Sequence, residues 1–214
     1  MSRVSTAAQL PFLLAVGIFV CQAGADVTNG SFETHTLSGW TSTGPVYVVD
    51  DEVTRDFLPP VAPDWVPTDG AYFAELWSTD LAGTNSSSLQ QSFSAHPGDV
   101  LRFDYFYDYG DVPPYYDPAV GVLGLPGGGS LQLFSHNTGP SDYMPPGANI
   151  GWLTMVVPLP LSGVYTLSFA IADADGTFES LLGVDNVHVV PEPARLGMLV
   201  VLGAEATRRL RGRS

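Results

Sequence analysis

Apolar and polar side chains alternate with a period of two through the middle of the chain. The segment 101–109 (LRFDYFYDY) places its odd-numbered residues, all apolar or aromatic, on one face. The even-numbered residues, an arginine, two aspartates and a phenylalanine, lie on the other. The segment 164–173 (VYTLSFAIAD) repeats the pattern. A period of two over this length predicts half-buried β-strands.

Shorter runs of the same kind occur on both sides of these segments. Clusters rich in Gly, Pro, Asn and Asp separate them, and no long stretch within 26–190 has a helical period. Eight or nine short strands separated by turns predict an all-β fold, a two-sheet sandwich or jelly roll. The shorter runs are 45–50, 71–77, 88–93, 130–135, 152–157 and 183–190.

The first 25 residues have the pattern of a secretory signal peptide. Arg3 precedes an apolar run of eleven residues from Leu10 to Val20, and small residues at 23–25 offer a cleavage site. A membrane anchor is the alternative, but eleven residues at about 1.5 Å each span only about half of a bilayer core. A lipoprotein site at Cys21 is disfavoured by the large Val20 before it. Cleavage would remove the only cysteine and leave 26–190 as a domain without disulfides.

Charge is distributed unevenly along the chain. Residues 26–190 contain two basic residues, Arg55 and Arg102, and 20 acidic ones, for a net charge of −18. Residues 191–214 contain five arginines and two glutamates, for a net charge of +3. An acidic body argues against nucleic-acid binding, which needs cations to neutralise phosphates. It is consistent with attraction of Ca²⁺ and equally with solubility alone.

Three stretches resemble galactose-binding-like jelly rolls, a superfamily that includes many carbohydrate-binding modules. They are NGSFETHTLSGWTSTG (29–44), SLQQSFSAHPGDVLRFDYFYD (88–108) and YTLSFAIADADGTFESLLGVDNV (165–187), which together span most of 26–190. The resemblance implies a single sandwich domain that binds carbohydrate, either an exopolysaccharide or a surface glycan.

The C-terminal segment 191–214 resembles the PEP-CTERM sorting signal of Gram-negative bacteria. Pro191, Glu192 and Pro193 are followed by an apolar run and then by a basic end that includes Arg208 and Arg209. The resemblance implies processing by an exosortase, transient anchoring in the inner membrane and delivery to the cell surface or exterior. The basic end would stay in the cytoplasm by the positive-inside rule.

This tail departs from the pattern in length. The apolar run 196–206 has eleven residues and includes Glu205, whereas a full span needs about 20. Such a short helix suits a transient anchor better than a permanent one. A solvent-exposed C-terminal helix is the alternative.

The jelly-roll resemblance also implies a structural Ca²⁺ site formed by Glu33 and Asp185. Carboxylate oxygens are ligands that this hard cation prefers. The alternative is that Glu33 caps a turn and Asp185 binds backbone amides. The segment DADGTFE (173–179) contains Asp-x-Asp-Gly but lacks the other ligands of a calcium loop, which favours a polar turn there.

The loop 109–118 is unusually rich in aromatic and acidic residues. Sugar recognition generally uses an aromatic platform together with carboxylates or amides, so the predicted ligand-binding residues are Tyr115, Tyr116, Asp111, Asp117 and Trp65. The alternative is that these tyrosines pack beneath their own loop.

No arrangement of residues typical of catalysis is present. The sequence lacks a Gly-x-Ser-x-Gly elbow, a P-loop and a His-Glu-x-x-His motif. The main hypothesis is therefore a non-catalytic, carbohydrate-binding surface protein. The alternatives are a structural matrix protein without a small ligand and, less favoured, a glycoside hydrolase using a pair of carboxylates.

Overall fold

Ten β-strands form in the residues that the computed structural model describes, which are 27–52, 65–79, 85–111, 114–145 and 148–192. The predicted signal peptide (1–25) and the sorting tail from Pro193 onward, with Arg208 and Arg209, lie outside the described residues. The strands are β1 (Thr41–Thr43), β2 (Val46–Val49), β3 (Phe73–Trp77), β4 (Ser86–Ala95), β5 (Asp99–Asp108), β6 (Ala119–Gly124), β7 (Ser130–His136), β8 (Asn149–Leu159), β9 (Gly163–Ala172) and β10 (Leu181–Val190).

The strands make two five-stranded sheets in which every strand pair is antiparallel. Sheet 1 has the order β1-β4-β9-β6-β7, and sheet 2 has the order β2-β3-β10-β5-β8. Chain neighbours often lie in different sheets, so the chain crosses between the two layers as in a jelly roll. The described residues contain no helix, and the predicted all-β two-sheet sandwich is confirmed.

The main core lies between the two sheets and consists largely of aromatic side chains. On β9 the predicted alternation is observed, with Tyr165, Leu167, Phe169 and Ile171 all buried. Phe169 packs edge to face against Phe103, which lies on the opposite sheet, and the ring centroids are 5.2 Å apart. Aromatic pairs in this geometry add to the stabilisation that comes from burial alone.

Strand β5 differs from the prediction because it is buried on both faces over most of its length. Its even-numbered residues Asp104, Phe106 and Asp108 were expected on a half-exposed face, but all are buried. A second apolar cluster covers this outer face, formed by Trp65, Phe73, Phe106 and Leu181 with Trp152 packed against it. The segment that begins at Trp65 therefore forms a partial third layer over sheet 2.

The residues before β1 fold back onto the sandwich and join the chain's first described segment to its last strand. Phe32 and Trp40 enter the main core, where their ring centroids are 5.4 Å apart. The Val187 amide donates a hydrogen bond to the Gly30 carbonyl at 3.0 Å. This contact closes the domain between its N-terminal segment and β10.

Candidate functional site

Strand register brings the loops that follow β3, β5, β7 and β9 to one end of the sandwich. In sheet 2, Leu181 at the start of β10 pairs with both Trp77 and Asp108, the last residues of β3 and β5. In sheet 1, Ala119 at the start of β6 pairs with Ile171 near the end of β9 and with His136 at the end of β7. This loop end contains most of the aromatic and acidic residues that the sequence singled out.

The tyrosines of the loop after β5 divide into buried and accessible ones. Tyr109 is fully buried, and its hydroxyl donates a hydrogen bond to the Tyr115 carbonyl at 2.7 Å. Tyr143 meets the rings of Tyr109 and Tyr116 edge to face, at 6.4 and 6.0 Å. Tyr116 is half-buried, whereas Tyr115 is 40% exposed. The loop thus rests on its own tyrosines and still presents an aromatic surface to solvent.

Asp117 lies beneath this surface and connects three loops. It is fully buried, and its Oδ2 accepts hydrogen bonds from the hydroxyls of Ser180 at 2.8 Å and Ser78 at 3.2 Å. Its Oδ1 accepts a hydrogen bond from the Ala174 amide at 3.4 Å. The Gly110 amide in turn donates to the Ser180 hydroxyl at 2.9 Å. These buried hydrogen bonds hold the loops after β3, β5 and β9 in one arrangement.

Three aspartates from two of these loops come together here. One carboxylate oxygen from each of Asp111, Asp117 and Asp173 lies within 4.8 Å of the others, and all three residues are buried. Burial raises the pKa of Asp117 to about 7, and repulsion from Asp173 and Asp111 adds to the increase while the Ser180 hydrogen bond opposes it. Because Asp111 and Asp117 are enclosed, their burial argues against the predicted direct contact with sugar hydroxyls.

The raised pKa of Asp117 predicts that stability falls as pH rises from about 4 to 7. In this window the folded state binds more protons than the unfolded state, where the carboxyl has its ordinary pKa of 3.8. With EDTA present, wild type should lose on the order of 5 °C more in Tm between pH 5 and 8 than Asp117→Asn. Burial also raises the pKa of Asp185 to about 6, which makes stability fall as pH rises. Burial lowers the pKa of His136, which makes stability rise with pH instead. Wild type and Asp117→Asn both contain Asp185 and His136, so an equal change of Tm with pH in the two proteins would contradict the prediction.

Trp65 lies in the second apolar cluster, which covers the outer face of sheet 2. It is 7% exposed, and its ring stacks on Phe106 with centroids 4.1 Å apart and planes 5° apart. Its indole Nε1 donates a hydrogen bond to Asp108 Oδ2 at 3.0 Å. Both ring and polar tip are engaged within the protein, which argues against the predicted contact of Trp65 with a sugar.

A second exposed aromatic residue, Tyr47 on β2, was not singled out from the sequence. It is 46% exposed and meets Trp77 edge to face, with centroids 5.3 Å apart. Trp77 Nε1 donates to Glu75 Oε2 at 2.7 Å. The run PVYVVD is too short for its pattern to distinguish an exposed tyrosine from a buried one.

Glu33 and Asp185, the predicted Ca²⁺ ligands, both hold the turn at 68–72. Asp185 is fully buried, and its Oδ2 accepts hydrogen bonds from the Thr68 amide (2.7 Å), the Thr68 hydroxyl (3.0 Å) and the Asp69 amide (2.9 Å). Glu33 Oε1 accepts from the amides of Ala71 at 2.8 Å and Tyr72 at 2.9 Å. Both carboxylates thus make the backbone hydrogen bonds of the alternative interpretation, and Ca²⁺ binding here stays a prediction.

The first two residues of the predicted sorting signal follow β10 directly. Pro191 and Glu192 are exposed, and the Glu192 amide donates a hydrogen bond to Asp99 Oδ1 at 3.1 Å. Among the described residues, none forms a helix with the length and apolar character of a membrane span.

No protein-family model matches the chain, and no curated protein matches it. Some solved structures are similar in chain trace. One is TmCBM61 in complex with β-1,4-galactotriose, with 17% identity, 77% of this chain and 97% of that chain covered, and a TM-score of 0.47. Another is the K3 cleaved adhesin domain of Lys-gingipain from Porphyromonas gingivalis, with 18% identity, 78% and 99% covered, and a TM-score of 0.46. At these TM-scores the likeness does not indicate what this chain binds.

Proposed function

We propose that the protein is an exported, non-catalytic surface protein that binds polysaccharide at the loop end of its sandwich. The observation that carries this proposal is the aromatic surface of Tyr115 and Tyr116. Tyr115 is 40% exposed, and the half-buried Tyr116 packs edge to face against Tyr143. An exposed tyrosine ring offers an apolar face to the apolar face of a sugar and a hydroxyl at its rim.

The support beneath this surface favours binding because little order has to be gained when a ligand arrives. The Tyr109 hydroxyl fixes the Tyr115 carbonyl, and Asp117 fixes the neighbouring loops through Ser78 and Ser180. Association is penalised by the entropy of ordering loops and side chains, so a loop that is already held loses less affinity. In this proposal Asp111 and Asp117 help to hold the loop in place and do not contact the sugar.

We expect the double substitution Tyr115→Ala with Tyr116→Ala to weaken polysaccharide binding at least tenfold without unfolding the domain. The measurement is affinity electrophoresis or calorimetry of the full-length chain against a panel of soluble polysaccharides, with circular dichroism as the check on folding. The matched control is Tyr47→Ala, which removes a tyrosine of similar exposure on β2.

Each outcome of this experiment distinguishes between binding surfaces or between functions. Loss of binding in the Tyr115/Tyr116 variant alone supports the proposal. Loss in Tyr47→Ala alone would place the binding surface beside Trp77. A folded wild-type chain that binds no polysaccharide in the panel would favour the structural matrix protein, and release of sugar from any of them would favour a glycoside hydrolase.

Export and sorting form the second part of the proposal. The N-terminal apolar run, the Pro191–Glu192–Pro193 sequence and the arginine-rich end support it. An exosortase-type enzyme would process the tail after transient anchoring in the inner membrane, leaving the sandwich at the cell surface or outside the cell. The mass of the exported protein tests this, since a product that retains residues 194–214 would contradict processing at the tail.

A further inference from the structure

The cluster of Asp111, Asp117 and Asp173 has the charge, burial and spacing of a cation site. Each residue contributes a carboxylate oxygen within 4.8 Å of the other two. Three ionised carboxylates enclosed together repel one another and lose the solvation that water would provide. Among the described residues, the groups that donate to Asp117 are the hydroxyls of Ser180 and Ser78 and the Ala174 amide, none of which carries a positive charge.

Asp173 gives the second, independent indication of a missing ligand. The residue is 7% exposed, and its Oδ1 accepts hydrogen bonds from the amides of Asp175 at 2.7 Å and Gly176 at 2.6 Å. Its Oδ2 is buried and has no hydrogen-bond partner in the part of the chain that the structure describes. Because Oδ1 already accepts two backbone hydrogen bonds, Oδ2 is the oxygen available to an ion. A buried carboxylate oxygen without a donor is costly, and a cation would remove that cost.

Oxygen ligands held by irregular loops favour Ca²⁺ over Mg²⁺. Ligand oxygens on opposite sides of Ca²⁺, each about 2.3–2.6 Å from the ion, are separated by about 4.6–5.2 Å. Oxygens across Mg²⁺ are separated by only about 4.2 Å, and this ion demands a nearly ideal octahedron. The cluster oxygens lie within 4.8 Å of one another, inside the span of the ligands around Ca²⁺, and this ion tolerates the irregular geometry that three loop carboxylates offer.

We propose that Asp111, Asp117 and Asp173 form a Ca²⁺ site that ties the loop after β5 to the loop after β9. This inference does not depend on polysaccharide binding, because it rests on the three carboxylates alone. The site is separate from the predicted one at Glu33 and Asp185, whose oxygens already accept backbone hydrogen bonds. A bound ion would fix both ends of the segment that carries Tyr115 and Tyr116.

The test is Ca²⁺ titration of the full-length chain after treatment with EDTA, followed by calorimetry. A second readout is luminescence of the probe ion Tb³⁺ on excitation of tyrosine, since the Tyr107 hydroxyl donates to the Asp117 carbonyl at 2.6 Å and lies beside the site. We expect saturable Ca²⁺ binding and Tb³⁺ emission in wild type. Asp173→Asn should weaken Ca²⁺ binding at least tenfold and remove most of the emission.

Two control variants separate this site from other acidic groups. Asp175→Asn removes the same charge from the same loop at an exposed position and should bind like wild type. Glu33→Gln tests whether the emission comes from the other predicted site, and loss of emission in this variant but not in Asp173→Asn would overturn the proposal. Circular dichroism checks that Asp173→Asn is folded. Absence of saturable Ca²⁺ binding in wild type, or equal binding by wild type and Asp173→Asn, would overturn the proposal.

Discussion

Replacing Asp185 with alanine is expected to lower the free energy of unfolding by about 4 kcal/mol. The carboxylate is fully buried on β10, and its two oxygens accept four hydrogen bonds from Thr68, Asp69 and Asn186. Alanine would leave these donors without their acceptor and would open a cavity beneath the turn at 68–72. The turn leads directly into β3, so the loss would extend to the cluster over sheet 2.

Urea unfolding of the full-length chain measures this effect, and Asp185→Asn is the control. Asparagine keeps the shape and one acceptor oxygen, so it should retain about half of the stability lost in the alanine variant. A loss below about 1 kcal/mol in Asp185→Ala would mean that the turn is held by other contacts. That result would contradict the role assigned to this carboxylate.

The same measurement tests the predicted Ca²⁺ site at Glu33 and Asp185. If these residues bind Ca²⁺, EDTA should lower the stability of wild type and leave Asp185→Ala nearly unchanged. If they only hold the turn, EDTA should affect wild type and variant alike. A shift that is instead lost in Asp173→Asn would assign the ion to the cluster at the loop end.

Most strands could be predicted because their side chains alternate over a buried core. The run 164–173 is the clearest case, since every second residue of β9 from Tyr165 onward is buried. Two strands were missed. β1 is the polar sequence TST, exposed throughout, and β6 contains two glycines. Gly121 is explained only by the structure, because a Cβ there would lie 2.3 Å from the ring of Phe134.

The two buried faces of β5 and the aspartate cluster could not be predicted for a related reason. Period two indicates which residues share a face, but not whether a distant segment covers that face, as Trp65 covers Phe106. Asp117 meets Ala174 across 57 residues of sequence, and no local pattern marks that contact. The sequence did identify the loop 109–118 as rich in functional side chains, but not which of them are buried.

The substitution Gly30→Ala is expected to lower the free energy of unfolding by about 3 kcal/mol, the second large effect expected in this protein. A Cβ at this position would lie 1.8 Å from the carbonyl oxygen of Val187, an atom of the backbone that no rotamer change can move. The Gly30 carbonyl also accepts the Val187 amide at 3.0 Å, so any shift that relieves the clash weakens this hydrogen bond. The physical requirement for glycine in the NGSFE sequence is thus the close approach of the first segment to β10.

Gly151→Ala is the matched control for this prediction. Gly151 is exposed on β8, and a Cβ there would meet nothing within 4 Å. The free energy of unfolding of Gly151→Ala should therefore differ from that of wild type by less than about 0.5 kcal/mol. Chemical unfolding of both variants beside wild type gives the comparison. If Gly30→Ala were as stable as Gly151→Ala, the N-terminal segment would not lie against Val187. The contacts of Glu33 with Ala71 and Tyr72, which depend on that placement, would then fail as well.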